Sequence, residues 1–280
     1  MIPAPLGNSG LSAYVLAMRI GFLSFGLPLF AVAFAQAAWA GPAREAGSPR
    51  EVRPVVLELF TSQGCSDCPA ADVLLTELAK RKDVIALSLP ITYWDMLGWK
   101  DTFATEGNTQ RQKAYARALN RSGIYTPQII VDGTLDVVGN QRDHVLAAIA
   151  ARQSDGVSEF SVPVSLGAVQ GRVEIVIPES RTKAKSLATI WVMRTLSHAA
   201  VKVAGGENRN LQLVYSNVVR DVQRAGEWNG DAMKIDLPLS SGKADREDGI
   251  VVLLQSREHG RVIGAALLNT QGDGRLAAPR

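Results

Sequence analysis

The chain has 280 residues, of which 46% are apolar and 20% are charged, a composition typical of globular proteins. Its formal net charge of +3 comes from 30 basic and 27 acidic residues without a long basic run, so nucleic acid is not an expected partner. Two cysteines cannot support a disulfide-rich scaffold, and three histidines offer few ligands, so no metal site is expected. The length predicts about two domains, each with its own core.

The first 40 residues have the pattern of a secretory signal peptide. They carry one charged side chain, Arg19, followed by the uncharged apolar stretch 20–35 and the small-residue site Ala38-Trp39-Ala40. We expect cleavage at that site, which would give a mature chain that begins at Gly41. The alternative is an uncleaved membrane anchor. Cleavage predicts a periplasmic or secreted protein whose thiols can be oxidised and which meets the membrane only through the signal segment.

Strand and helix patterns alternate after a polar linker at 41–54. The predicted elements are, in chain order, a strand at 55–60, a helix at 72–80, a strand at 84–89, a helix at 108–120, strands at 128–131 and 134–138, and a helix at 143–152. Asp132-Gly133, between the last two strands, is a strong signal for a β-hairpin. This order predicts an α/β domain over 55–153.

The pattern changes near 153–158, where Ser, Asp and Gly cluster. Short segments of alternating apolar residues follow, without helical periodicity between them, at 160–169, 173–177, 187–194, 199–203, 211–219, 233–237, 250–255 and 262–268. Many short strands in succession predict an antiparallel β-sandwich-like domain over 158–270.

The motif that carries chemistry is Cys65-Ser66-Asp67-Cys68, between the first predicted strand and the first predicted helix. The free amides and the dipole of a helix N-terminus stabilise a thiolate, so Cys65 is the candidate nucleophile. Cys68 lies one turn on, where it can attack a mixed disulfide on Cys65 and release the product. We expect Cys65 to be exposed and Cys68 to be covered. The negative charge of Asp67 opposes the effect of the helix dipole.

Aromatic residues follow the second predicted strand, in the loop 91–105. Ligands of parallel α/β sheets bind beyond the carboxyl ends of the strands, so Trp94 is a candidate for a substrate-binding wall beside the cysteines, and so is Tyr125. The alternative is that these aromatic side chains cover the core. The sequence leaves both interpretations open.

Three segments resemble the thioredoxin superfamily in their order: the strand 55–60, the Cys65–Cys68 motif, and Thr126-Pro127 just before the hairpin. More narrowly, the chain is similar to the secreted bacterial family called domain of unknown function 1223. The segments that carry this similarity are the apolar N-terminus, Leu59-Phe60-Thr61-Ser62-Gln63-Gly64-Cys65, Tyr93-Trp94-Asp95, Tyr125-Thr126-Pro127-Gln128 and the β-rich tail. The implied fold is an α/β thioredoxin-like domain followed by an antiparallel β-sandwich-like domain.

The thioredoxin resemblance also implies roles for the site residues. Cys65 would be the nucleophile, Cys68 the resolving thiol, and Pro127 a cis-proline that shields the sulfurs from metals. Thr126 would offer backbone hydrogen bonds to a bound peptide. The implied activity is thiol–disulfide exchange with protein thiols or disulfides, supported by a redox partner protein and without a dissociable cofactor. Leu59 stands, by spacing, where thioredoxin has a buried aspartate, so the sequence identifies no proton acceptor for Cys68.

Two other functions are compatible with the motif. In the first, Cys65 and Cys68 form a stable structural disulfide in a non-catalytic secreted binding protein. In the second, the two soft thiolates handle copper together with a methionine or histidine.

The β-rich segment offers no recurring ligand spacing. Gly205-Gly206-Glu207-Asn208-Arg209 is therefore expected to be a solvated loop, and His198 and His259 are expected to be ordinary, partly buried histidines. His144, at the start of a predicted helix, is expected at the surface.

Overall fold

The computed structural model describes residues 53–155, 161–180, 187–240 and 247–270. The predicted signal peptide, most of the predicted linker and much of the predicted domain boundary lie outside these residues. Among the described residues, no helix is both long enough and apolar enough to span a membrane.

The first half of the described chain alternates strands and helices in the predicted order. Its elements are β1 (Val55–Thr61), α1 (Cys68–Leu78), β2 (Val84–Pro90), a short 3-10 turn (Asp95–Leu97), α2 (Glu106–Ala118), β3 (Gln128–Val131), β4 (Leu135–Val138) and α3 (Arg142–Ser154). Helix α1 begins at Cys68, before its predicted start at 72, because Pro69 fits the first helical turn, where its missing N–H is not needed. Helix α2 begins after Thr105, whose side chain accepts a hydrogen bond from the N–H of Asn108.

The second half of the described chain consists of strands. They are β5 (Ser165–Val169), β6 (Arg172–Ile177), β7 (Ala188–Lys202), β8 (Gln212–Trp228), β9 (Met233–Pro238), β10 (Gly249–Ser256) and β11 (Val262–Asn269). The segments predicted separately at 187–194 and 199–203 form the single strand β7. Strand β8 continues past its predicted end at 219, through largely polar, half-buried or exposed residues that hydrophobic alternation cannot detect.

Strands from both halves join one sheet, whose order within the described residues is β11-β10-β7-β8-β2-β1-β3-β4. Strand β1 is parallel to β2 and antiparallel to β3, and β2 meets β8 through one parallel pairing, Ser88 with Val218. Alternate residues of β1 face opposite layers, with Leu57 packed beside α1 and α3 and Val56 packed on the side of α2. The fold is therefore mixed α/β around a large sheet.

A second, three-stranded sheet in the order β5-β6-β9 packs on the part of the large sheet formed by β7 and β10. Burial alternates along β6, where Val173, Ile175 and Ile177 face the core, as in a sheet with one solvated face. The predicted sandwich is therefore present only in part. Two antiparallel layers face each other, but one of them is continuous with the sheet of the α/β half.

A buried ion pair connects the two halves. Glu58 on β1 and Arg111 on α2 are both buried, and Nε and Nη2 of Arg111 donate to the Glu58 carboxylate. Arg111 Nη2 also donates to the hydroxyl of Tyr115 (2.9 Å) and to Oε1 of Gln255 on β10 (3.2 Å). A buried charge pair is tolerated when further hydrogen bonds satisfy its polar atoms. One of the residues that supply these bonds, Gln255, belongs to the second half of the chain.

We expect Arg111→Met to lower the free energy of unfolding by about 3–5 kcal/mol, because it leaves the Glu58 carboxylate buried without its partner. The double variant Arg111→Met with Glu58→Met removes both charges and should be more stable than the single variant. Urea denaturation followed by circular dichroism measures both values. A double variant less stable than Arg111→Met alone would contradict this account.

Candidate functional site

The two cysteines form a disulfide at the end of β1. Cys65 lies in the loop after the strand and Cys68 is the first residue of α1, with 5.4 Å between their Cα atoms. The N–H of Cys68 donates to the carbonyl of Cys65 (3.2 Å), which closes a tight turn. Ser66 and Asp67, between the cysteines, are exposed. The motif itself therefore reaches the surface at the carboxyl end of β1.

Trp94 joins the cysteine loop to the segment that contains Pro127. A Cβ added to Gly64 would lie 3.3 Å from the Cβ of Trp94, so the two residues are in close contact. The indole N–H of Trp94 donates to the hydroxyl of Thr126 (2.8 Å). The half-buried side chain also packs against the core. Trp94 thus covers the core and lies beside the cysteine loop at the same time.

Pro127 packs close to the helix that carries Cys68. The Thr126–Pro127 peptide bond is cis, and the carbonyl of Pro127 accepts from the N–H of Gly139 (2.8 Å). A Cβ added to Gly139 would lie 3.1 Å from the Cβ of Pro127 and 3.2 Å from the Cβ of Ala71 in the first turns of α1. Only a residue without a side chain allows this approach between the proline segment and the helix.

Tyr125 faces strand β4. Its hydroxyl donates to Asp136 (2.5 Å), and its carbonyl accepts from Nε2 of Gln112 (2.7 Å). Beside it lies an open groove of about 580 Å³, lined by residues 121–125, part of β4 and His144. The hydrogen bonds of the Tyr125 side chain lead to this groove and do not reach the cysteine loop.

The loop between β7 and β8, residues 203–211, is called here the β7–β8 loop and is hydrogen-bonded to the cysteine motif. Nδ2 of Asn208 donates to the carbonyls of Gln63 (3.0 Å) and Cys65 (2.8 Å). Oε2 of Glu207 accepts from the N–H of Ser66 (3.2 Å). The exposed fraction is 2% for Cys65 and 0% for Cys68.

Two expectations from the sequence are wrong at this point. Cys65 is buried rather than exposed, and its carbonyl accepts a hydrogen bond from Asn208, in a loop from a distant part of the chain. The loop at 205–209 is not solvated throughout, because Asn208 is only 3% exposed and uses its amide to bond backbone carbonyls of the motif.

Gln63 and Trp99 lie beneath the β7–β8 loop. Gln63 is fully buried, and its Oε1 accepts from the indole N–H of Trp99 (2.8 Å). A Cβ added to Gly205 or Gly206 would lie 3.4 or 3.3 Å from side-chain carbons of Trp99. The loop therefore rests on the aromatic segment after β2.

A bend at Asn217 directs the β7–β8 hairpin toward the motif. The ladder between the two strands is interrupted at this residue, which has a left-handed φ of 48°, a conformation that asparagine adopts more readily than most residues. Nδ2 of Asn217 donates to the carbonyl of Ala86 on β2 (2.9 Å). On the loop side of the bend, the hydroxyls of Ser216 and Thr76 lie 3.3 Å apart. The hairpin thus packs along α1, which begins at the cysteines.

Asp72 is a buried carboxyl group next to the motif. It lies one helical turn after Cys68 on α1, so the two side chains share a helix face. Its Oδ1 accepts from Thr61 (2.8 Å), and its Oδ2 has no hydrogen-bond partner among the described residues. Burial raises the pKa of Asp72 well above its usual range, the hydrogen bond from Thr61 opposes the rise, and the negative charge of Asp101 adds to it. Asp72 is not among the site residues predicted from the sequence, although its spacing from Cys68 is a signal that could have identified it.

His259 is half-buried, between the rings of Tyr115 (5.6 Å) and Trp191 (5.3 Å). Burial and, to a smaller extent, the charge of Arg111 lower its pKa to about 4. Among the described residues, no three His, Cys, Asp or Glu side chains are grouped so that they could hold a metal ion.

Residues 56–255 match the family described as "Protein of unknown function (DUF1223)". The chain belongs to this family. The narrower resemblance seen in the sequence is thereby confirmed, and it brings no activity with it. No curated protein matches the chain.

Two solved structures are similar to this one. The crystal structure of protein AGR_C_4864 from Agrobacterium tumefaciens has 34% sequence identity and a TM-score of 0.69, and the match covers 82% of this chain and 99% of that chain. HBP35 of Porphyromonas gingivalis has 12% identity and a TM-score of 0.56, with 81% of this chain and 78% of that chain covered, and so shares the fold alone.

The raised pKa of Asp72 makes stability depend on pH, because the folded state keeps a proton that the unfolded state releases above about pH 4. Relative to Asp72→Asn, the wild type should lose up to about 1.4 kcal/mol of unfolding free energy per pH unit from pH 4 until the folded pKa is passed. Urea titrations at several pH values measure this difference. Asp67→Asn, at an exposed carboxylate, should follow the wild type, and a difference independent of pH would refute the assignment.

Proposed function

We propose that this protein exchanges thiols and disulfides with other proteins through Cys65 and Cys68. The observation that carries the proposal is the disulfide between these residues at a strand-to-helix turn, close to Trp94 and to the helix contacted by the Pro127 segment. The thioredoxin-like resemblance of the α/β half supports the proposal by analogy, because that arrangement serves disulfide exchange in the superfamily.

The exchange is balanced in electrons and protons. A client thiolate attacks the sulfur of Cys65, a client–Cys65 disulfide forms, the Cys65–Cys68 bond breaks, and Cys68 leaves as a thiolate that takes up a proton. A second client thiolate then attacks the client sulfur of the mixed disulfide, and Cys65 leaves as a thiolate. The client loses two electrons and the protein gains them. The reverse sequence reduces a client disulfide, and a second protein dithiol or disulfide restores the starting state.

Asp72 is suited to the proton transfer at Cys68. It is buried on the same helix face, and its Oδ2 is unpartnered among the described residues. The raised pKa of this carboxyl keeps a proton available nearer neutral pH than an ordinary aspartate would, which is the property that a general acid or base needs. Asp72 would protonate the departing Cys68 thiolate and accept the proton when Cys68 attacks.

The segment from Trp94 to Thr126 is the proposed contact surface for a client chain. The hydrogen bond between the two side chains joins the loop after β2 to the residue before Pro127. The backbone of Thr126 would bind an extended client peptide, as the superfamily resemblance implies. Tyr125, which lines the neighbouring groove, would contact client residues farther from the sulfurs.

The proposed compartment is the periplasm or the extracellular space, as the N-terminal sequence pattern predicts. Thiols are readily oxidised there, and a disulfide such as Cys65–Cys68 persists. Exchange between sulfur atoms requires no dissociable cofactor.

A second candidate function is supported by the burial of both sulfurs. With exposed fractions of 2% and 0%, Cys65 and Cys68 have the accessibility of a structural disulfide that stabilises a non-catalytic binding protein. The two functions differ in reduction potential, because structural disulfides lie below about −300 mV whereas exchange catalysts lie well above that value.

We expect the Cys65–Cys68 pair to have a reduction potential above about −300 mV in a glutathione or dithiothreitol redox titration of the mature protein. In addition, Cys68→Ser should accumulate mixed disulfides with client proteins on non-reducing gels, because Cys65 can still attack but nothing resolves the product. Cys65→Ser is the matched control and should trap no client. A potential below that value together with no trapping would favour the structural disulfide.

The role of Asp72 predicts a change in the resolving step. When reduced protein reacts with an aromatic disulfide reagent that has a coloured thiolate product, Cys65 releases the first coloured thiolate and the attack of Cys68 releases the second. We expect Asp72→Asn to slow the second release by about tenfold or more and to remove an inflection from its pH profile. Thr61→Val keeps the carboxyl but deletes the hydrogen bond that lowers its pKa, so the inflection should move to higher pH. Identical profiles in all three proteins would exclude this role.

A further inference from the structure

We propose that the β7–β8 loop is a cover that must open before a thiol can reach the Cys65–Cys68 disulfide, and that Asn208 is the positioning residue that holds the cover closed. The biological meaning of this inference rests on the proposed exchange function. Its test requires no client protein.

The sulfurs are buried in a motif that otherwise reaches the surface. An attacking thiolate must touch a sulfur atom, yet Cys65 is only 2% exposed. Ser66 and Asp67, between the two cysteines, are exposed, so the turn itself is at the surface. The groups that lie over it are the Asn208 amide and the Glu207 carboxylate, both bonded to the motif backbone.

The cover is attached mainly through one side chain. Within the β7–β8 loop, Asn208 and Val203, which directly follows β7, are buried, whereas the other residues are exposed or half-buried. Its Nδ2 spans two carbonyls, those of Gln63 (3.0 Å) and Cys65 (2.8 Å), on either side of Gly64. Because few other groups of the loop are buried, release of this amide is a local opening that leaves the sheet intact.

Gly205 shows how closely the loop approaches the segment beneath it. A Cβ added to Gly205 would lie 2.9 Å from the carbonyl oxygen of Gly98, a backbone atom that cannot rotate away. The φ of Gly205 is not in the left-handed region, so alanine fits the local backbone conformation. The methyl group of Gly205→Ala should therefore displace the loop while the Asn208 side chain is unchanged.

The test is the rate at which dithiothreitol reduces the disulfide of the oxidised full chain. One dithiothreitol thiolate attacks Cys65 and Cys68 leaves as a thiolate; the second thiol of the reagent then releases Cys65 and forms the cyclic disulfide. We expect Asn208→Ala to be reduced about tenfold faster than the wild type at the same pH, a change equivalent to about 1.4 kcal/mol. Asn208→Asp keeps the size of the side chain but has no N–H to donate, and should also be reduced faster.

Two further variants test whether loop displacement is the cause of faster reduction. Gly205→Ala should accelerate reduction with Asn208 still present, and it keeps the test decisive if the Asn208 variants fold poorly. Arg209→Ala changes an exposed neighbour in the same loop and should be reduced at the wild-type rate. Rates that stay constant in low urea identify local opening rather than global unfolding as the route to the sulfurs.

Failure of this inference can be separated from failure of the proposed function. If neither the Asn208 variants nor Gly205→Ala is reduced faster than the wild type, or if Arg209→Ala is accelerated as much as they are, the loop is not a cover. If the loop variants are accelerated but Cys68→Ser traps no client, the cover stands and the exchange function fails. If Cys68→Ser traps clients and the loop variants change nothing, the exchange function stands and the cover fails.

Discussion

The bend at Asn217 is the constraint on which the arrangement of the site depends. Strand β8 meets β2 at Ser88 and Val218, and next to that pairing Asn217 combines a left-handed backbone with a hydrogen bond to Ala86. This bend turns the remaining part of the hairpin onto α1 and places its tip at the helix N-terminus.

Both candidate functions, disulfide exchange and a structural disulfide, are compatible with the same buried Cys65–Cys68 bond. They differ in how often the β7–β8 loop releases Asn208 and in how readily Cys68 accepts a proton when its bond to Cys65 breaks. In the proposed exchange, local opening would control the first property and the environment of Asp72 would control the second. The proposed exchange therefore depends on access to the sulfurs and on the supply of a proton.

The parts of the fold encoded over a few neighbouring residues could be predicted from the sequence. The buried strand at 55–60 and the hairpin at Asp132-Gly133 are examples, because their apolar pattern and turn chemistry are local. The roles of Asn208 and Asn217 could not be predicted, since their partners lie more than a hundred positions away and one sequence contains no information on that pairing. The spacing of Asp72 from Cys68 was visible, but one sequence does not show that Tyr215, from the second half of the chain, lies close to it. Burial and, to a smaller extent, the charge of Asp72 raise the pKa of Tyr215.

The distance along the chain between the motif and its cover sets an order of events during folding. Asn208 follows Cys65 by 143 positions, so a chain synthesised from its N-terminus contains both thiols long before the residues that enclose them. An oxidant meets these thiols unobstructed until the β7–β8 hairpin has docked. The Cys65–Cys68 bond can therefore form before the second half of the chain has folded over it.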